Sequence, residues 1–193
     1  LLGANTFRGG EAFSIGDIRI RPLVIDHSAV DSYMFVIEAE GKHVLYTGDF
    51  RMHGLRSHIV EKLLKTYIGE VDVLITEGTS LSRDAGDYIS EATVLDDISS
   101  YIQDGKYVFV MCSSTNIDRI MGIWQNMPTD KVLICDAYQK RILDTVINNV
   151  YYESSLYRRH DSPLVLNKGP YPKYYMDNGF VSLVRGTENF ISH

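Results

Sequence analysis

Two runs, SYMFVIEA and KHVLYTGD, separated by Glu40-Gly41, constrain this chain more than anything else in it. Both are apolar at nearly every position. They read as paired β-strands joined by a tight turn, with both faces of the pair covered, as in a sheet inside a layered sandwich. Ahead of them EAFSIGD and IRIRPLVI also carry strand patterns, so the chain up to about residue 50 is expected to be β. In an antiparallel hairpin the residue before the first strand and the residue after the second lie at the same end. Here those flanking positions hold His27 and Asp49. A hairpin needs neither for its own stability, so their placement asks for a chemical or a capping role.

The pattern then changes. Residues 57–67 read as a helix with Ile59, Leu63, Leu64 and Tyr67 on one face, and the strand VDVLIT follows, delivering Glu77 at its carboxyl end. LSRDAGDYIS has loop chemistry and marks a boundary, dividing the chain into residues 1–83 and 84–193. Beyond it helices and strands alternate. A helix with Val94, Ile98 and Ile102 inward leads to strand YVFVMC, and SSTN caps a helix whose buried face is Ile117, Ile120, Met121 and Trp124. Strand KVLIC and a helix carrying Ile142, Val146 and Val150 continue the alternation, which predicts a small, mainly parallel sheet with YVFVMC and KVLIC side by side. Residues 151–178 are irregular and rich in tyrosine, and GFVSLVR reads as a last strand. The fold class expected is α/β.

A chain of 193 residues with 45 % hydrophobic content can build a real core. No apolar run approaches the roughly 18–20 residues of a membrane-spanning helix, so a soluble, cytoplasmic protein without a membrane partner is expected. The two cysteines, Cys112 and Cys135, each end an apolar strand-like run and read as core thiols rather than a disulfide pair. The net charge of −6 gives no overall electrostatic footprint for nucleic acid, although a local basic channel is compatible with it. The chain opens LLGANTF without an initiator methionine, and Thr187 and Glu188 start a helical pattern that does not finish. These ends are expected of a piece of a longer protein.

A histidine and an aspartate converging at one sheet edge suit a metal, because neutral imidazole and carboxylate both bind zinc and a carboxylate can bridge two ions. The same residues could instead hydrogen-bond the adjoining turn. The wording of the motifs adds to this. DHS around His27, then the hairpin, then TGDF, then TEGT closing the next strand resembles the metallo-β-lactamase fold in its β-CASP branch, most closely the ribonuclease J-like enzymes. SSTNIDRI and KVLICDAYQK are similar to strand-to-helix joints of the β-CASP insertion.

The resemblance implies part of a metallo-β-lactamase αββα sandwich followed by a β-CASP-like α/β domain. It also implies a zinc-dependent hydrolase of RNA phosphodiesters, in which His27 is a zinc ligand, Asp49 bridges two zinc ions, and Glu77 orients a histidine ligand by hydrogen bond. Two such ions would acidify a bridging water and clamp the phosphodiester for in-line attack. Glu77 read without the resemblance is a strand-end cap or helix-dipole partner. The family's H-x-H-x-D-H signature is nowhere in the sequence. The nearest pair, His53 and His58, has the wrong spacing and lacks the acid, His160 shows no ligand spacing, and His193 is terminal. The expectation is therefore half of a dinuclear site, inactive alone, with the remaining ligands in sequence outside these residues.

Rival readings are a metallo-β-lactamase-fold hydrolase of a small ester, thioester or other phosphodiester, and a non-catalytic interaction or nucleic-acid-clamping module. RNA is the partner the leading reading expects, with homo-oligomerisation left open. Weaker candidates complete the list. His53 in RMHGLRSH could touch substrate near the metals or be an ordinary surface histidine. His43 reads as a solvent-edge residue. SSTN at 113–116 suits an anion or an N-cap. Tyr151, Tyr152, Tyr157, Arg158, Arg159, Tyr171, Lys173, Tyr174 and Tyr175 interleave aromatics and cations as single-strand binders do, or as a surface bared by truncation would. No G-x-G-x-x-G follows any strand, which argues against a dinucleotide site.

Overall fold

The structure is a computed structural model that describes residues 5–81, 86, 88–148, 157, 163–165 and 172–185. The chain is α/β and divides into two units, Leu1–Glu91 and Ala92–His193. That division falls later than the loop chemistry of LSRDAGDYIS suggests, because the residues after the loop remain tied to the first unit. The Glu91 amide donates to the carbonyl of His53 at 2.8 Å.

The first unit is built on a five-stranded mixed sheet. Strands β1 (Phe13–Ile15), β2 (Ile18–Val24), β3 (Tyr33–Ala39) and β4 (Lys42–Tyr46) pair antiparallel in chain order. Glu40 and Gly41 both take positive φ, 51° and 73°, the backbone of a two-residue turn that matches the twist of the strands it joins. Helix α1 (Ser57–Tyr67) then carries the chain to β5 (Val73–Ile75), which lies parallel to β4. The core is Leu23, Ile25, Met34, Val36, Leu45 and Val60, with Phe50, Leu63, Leu64 and Ile68 packed against it.

Two expectations change here. On α1 the buried residue is Val60, with Ile59 half-buried and Tyr67 exposed under the guanidinium of Arg21, 5.4 Å from the ring centre. The helix sits rotated toward Val60 from the face the apolar spacing suggests, because a cation on Tyr67 makes an outward ring favourable. The hairpin also buries only one face fully. Met34, Val36 and Leu45 enter the core, while Tyr33, Phe35 and Ile37 are half-buried and Tyr46 is exposed. Phe7 covers part of that second face, with its ring edge-on to Tyr33 at 5.2 Å and to Phe35 at 5.7 Å. Strand β5 exposes Val73, Leu74 and Ile75.

The second unit holds a four-stranded sheet, parallel throughout. Helix α2 (Glu91–Asp104) leads to β6 (Tyr107–Met111), α3 (Ile117–Asn126) to β7 (Val132–Cys135), α4 (Ala137–Ile147) to β8 (Leu164–Val165), and α5 (Lys173–Asn178) to β9 (Phe180–Val184). The strand order is β6-β9-β7-β8. YVFVMC and KVLIC are therefore parallel within one sheet but not adjacent, since β9 lies between them and pairs with both. The physical reason lies in burial. Phe180, Val181, Ser182 and Leu183 are all buried, as a central strand requires, whereas β6 alternates exposed and half-buried residues as an edge does.

Ile120, Met121, Ile123 and Trp124 of α3 form the interior with Leu133, Ile134, Leu143 and Val181. On α2 the buried apolar residues are Leu95 and Ile102, with Val94 and Ile98 half-buried. On α4 Leu143 and Val146 are buried and Ile142 is half-buried, while Val150 lies outside the described residues. No helix among the described residues is long and apolar enough to cross a membrane.

Candidate functional site

Strand direction decides what meets at each edge of the first sheet. Because β2, β3 and β4 run antiparallel and β5 runs with β4, the carboxyl ends of β2, β4 and β5 share one edge. The residues just past those ends are Asp26-His27, Gly48-Asp49-Phe50 and Thr76-Glu77. Hydrogen bonds join the three segments. The Arg51 amide donates to the carbonyl of Asp26 at 2.8 Å, the Phe50 amide to Oε1 of Glu77 at 2.7 Å, and the Thr47 amide to the carbonyl of Ile75 at 3.0 Å. His27, Asp49 and Glu77 thus belong to one row of loops.

Each side chain has a distinct setting. Nδ1 of the half-buried His27 accepts from the amide of Ala29 at 3.2 Å, which in a neutral ring leaves the proton on Nε2. Asp49 is exposed, and among the described residues no hydrogen bond or ion pair holds its carboxylate. Glu77 is half-buried and doubly held, by the Phe50 amide and by the Thr79 hydroxyl, which donates to Oε2. Donation from Phe50, then from Thr79, holds its carboxyl below the ordinary 4.5, and the His27 ring adds a smaller push the same way.

Behind this row lies a buried ionic cluster. Asp26 is 0 % and Glu91 1 % exposed, and Arg51 lies between them, its Nε 3.6 Å from Oδ1 of Asp26 and its Nη1 3.3 Å from Oε2 of Glu91. Oδ2 of Asp26 accepts from the Gly54 amide at 2.7 Å. A Cβ on Gly54 would fall 2.6 Å from that oxygen and closer still to Oδ1 of Asp26 and Nε of Arg51, so glycine is required there. The sequence motifs include Asp26 only as the first letter of DHS and Arg51 only as the first letter of RMHGLRSH, and leave Glu91 aside. A signal was present, since an acid and a base stand at the ends of apolar strands where burial is expected.

The remaining candidates separate. The rings of His53 and Tyr88 stack, with centroids 5.2 Å apart and planes 14° apart. His58 is exposed in the first turn of α1, and His43 is exposed on β4, its backbone paired with Asp72. In SSTN, Asn116 takes the N-cap position of α3 without a side-chain capping bond, and Ser113 and Thr115 bond each other through their hydroxyls at 3.0 Å. Side-chain capping, the ordinary reading of that segment, is therefore not what it does. Tyr157 is buried and donates to Oδ1 of Asp118 at 2.6 Å, so it is a core residue. Tyr174 and Tyr175 stand on α5, with Tyr174 exposed, and Lys173 opens that helix. Tyr151, Tyr152, Arg158, Arg159, His160, Tyr171, Thr187, Glu188 and His193 lie outside the described residues. Cys112 and Cys135 are not joined in a disulfide.

Among the described residues no group of three or more His, Cys, Asp or Glu side chains is placed to hold a metal ion. A catalytic zinc takes about three protein ligands, so His27 and Asp49 do not by themselves make a zinc site.

No protein-family model matches the chain, and no curated protein matches it. Among solved structures it is similar to a protein of unknown function from Enterococcus faecalis V583, with a TM-score of 0.72 and 17 % identity over 95 % of this chain. The chain spans 45 % of the length of that protein, and at this identity the likeness concerns the fold alone.

Proposed function

We propose that this chain is part of a metallo-β-lactamase-fold hydrolase of the β-CASP branch, with RNA as its substrate. The observation that supports this reading is the row of loops holding His27, Asp49 and Glu77, cross-linked by the Arg51–Asp26 and Phe50–Glu77 hydrogen bonds. In this reading Asp49 offers an exposed carboxylate, His27 an imidazole, and Glu77 fixes the Asp49 loop by gripping the next amide. The reading takes two zinc ions as cofactor and assigns the missing ligands to polypeptide outside residues 1–193. A strictly small-substrate hydrolase is the alternative, and a clamping module without chemistry is a third.

The test assays the longest polypeptide encoded around residues 1–193 on single-stranded RNA, on a thioester and on a small phosphodiester. RNA cleavage that falls by about 10² or more in Asp49→Ala, the order of loss expected when a metal-bridging group is removed, supports the reading. Turnover of the thioester alone favours the small-substrate alternative, and RNA binding without cleavage favours the clamp. The 193-residue chain alone is expected to be inactive and to hold zinc weakly. Stoichiometric zinc with Asp49-dependent activity in that chain would show that it completes a site from its own residues.

A further inference from the structure

From Phe50 to Val60 the chain reads FRMHGLRSHIV, with two arginines, two histidines and no acid. In a protein of net charge −6 this is a local reversal, and it begins directly after Asp49. His53 is held in place by the Glu91 amide on its carbonyl, and its ring backs the ring of Tyr88 at 5.2 Å and 14°, an offset stack. Tyr88 is nevertheless 60 % exposed, and its chain neighbour Ile89 and His53's neighbour Met52 are exposed as well. A tyrosine placed only to anchor its loop would gain by burying both faces, since ring burial is where its stabilisation comes from. Here the ring is oriented by a partner and left open to solvent.

We propose that Tyr88, backed by His53, is a stacking platform for one unpaired base of single-stranded RNA, next to the row that carries His27, Asp49 and Glu77. This deepens the RNA reading and rests on it. A flat π-face accepts any base, and only bases outside a duplex have a face to offer, so the platform selects single strands rather than a sequence. His58, exposed in the first turn of α1, supplies N–H donors for an adjoining phosphate from the same acid-free stretch. Arg51 does not serve that purpose, because Asp26 and Glu91 already engage it.

The experiment titrates the 193-residue chain with a single-stranded RNA oligomer and with an abasic ribose-phosphate oligomer of equal length, at fixed salt. Both are repeated with Tyr88→Ala, Tyr88→Trp and His53→Ala, and the His53 ring protons are followed by NMR. Base–aromatic stacking contributes about 1–3 kcal/mol per base, so Tyr88→Ala is expected to weaken RNA binding about 5- to 150-fold. It should leave the abasic oligomer and the salt dependence unchanged, since no phosphate contact is lost. Tyr88→Trp should retain RNA affinity, and RNA but not the abasic oligomer should shift the His53 protons upfield. If both oligomers bind and Tyr88→Ala affects them equally or not at all, the platform is overturned while the RNA reading stands. If neither binds the unsubstituted chain, the platform is overturned, and the RNA reading is decided by the cleavage assay on the longer polypeptide. Loss of binding in both Tyr88→Ala and Tyr88→Trp, with the fold intact by circular dichroism, also overturns the stacking role.

Discussion

Arg51→Met tests the buried cluster that ties the loop after β4 to the loop after β2. The substitution keeps an unbranched side chain of similar length and removes the cation between Asp26 and Glu91, which are 0 % and 1 % exposed. Removing one partner of a buried ion pair typically costs about 3–5 kcal/mol, because the remaining charge has neither water nor counter-ion. The contacts of 3.6 and 3.3 Å are longer than an optimal charge-assisted bond of about 2.8 Å, which argues for the low end, about 3 kcal/mol. For a unit of this size that corresponds to a fall in Tm of roughly 12–24 °C. Native-state hydrogen exchange of β2, β3 and β4 amides is the direct assay, with slowly exchanging amides expected to accelerate by about two orders of magnitude. Trp124, the chain's only tryptophan, is buried in the second unit, so its fluorescence reports that unit separately. Adding Asp26→Asn and Glu91→Gln to Arg51→Met should recover part of the loss, since neutral amides are cheaper to leave without a cation. An effect under about 1 kcal/mol, or no recovery in the triple variant, would refute the view that charge balance holds these loops.

Three further outcomes follow from particular contacts. Lys131 donates to the carbonyls of Ile102 and, at 2.8 Å, Gly105, closing the carboxyl end of α2, so Lys131→Met should cost about 1 kcal/mol in urea unfolding and speed exchange in the last turn of that helix. The Glu77 carboxyl is held below its ordinary 4.5, so its stabilising effect is fully present above that pH and is lost as pH falls through the lower folded value. Glu77→Gln should remove this component, seen as a smaller drop in Tm between about pH 6 and pH 3.5 than the unsubstituted chain shows. Burial pushes the Cys135 thiol up to about 12, with the neighbouring Asp136 adding to it, so iodoacetamide at neutral pH should label the half-buried Cys112 first; prompt labelling of Cys135 in folded protein would contradict the packing.

What could be read from the sequence was local. The span of α1, the Glu40-Gly41 turn and the strands around it depend on apolar period and turn chemistry within a few residues, and the structure has them at those positions. What could not be read depends on distant partners. Nothing within GFVSLVR says that it inserts between two strands encoded about fifty and seventy residues earlier; that order follows from which strand can bury both faces. The rotation of α1 likewise depends on Arg21, far away in β2, reaching the ring of Tyr67.

The candidate edge is an intermediate case. Its existence follows from topology without any side-chain detail, because a strand order of β2-β3-β4-β5 with a single parallel step at β4-β5 must place three carboxyl ends together. Any chain that puts its reactive residues immediately after those strands collects them in one row, and His27, Asp49 and Glu77 sit immediately after those strands. Which of them is restrained is a different matter, decided by groups that carry no motif. Glu77 is gripped through a backbone amide, which every non-proline residue at position 50 would supply, so no side-chain pattern at Phe50 could signal it. Asp26 and Arg51 are restrained by Gly54 and Glu91, whose roles are visible only once three separated segments are folded against one another. The stacking of His53 on Tyr88 belongs to the same class, since α1 and β5 separate them in the chain and no local pattern predicts that the segments on either side meet. Motif residues therefore mark where chemistry is possible at this edge, and the residues that hold them there are found by following the hydrogen bonds outward.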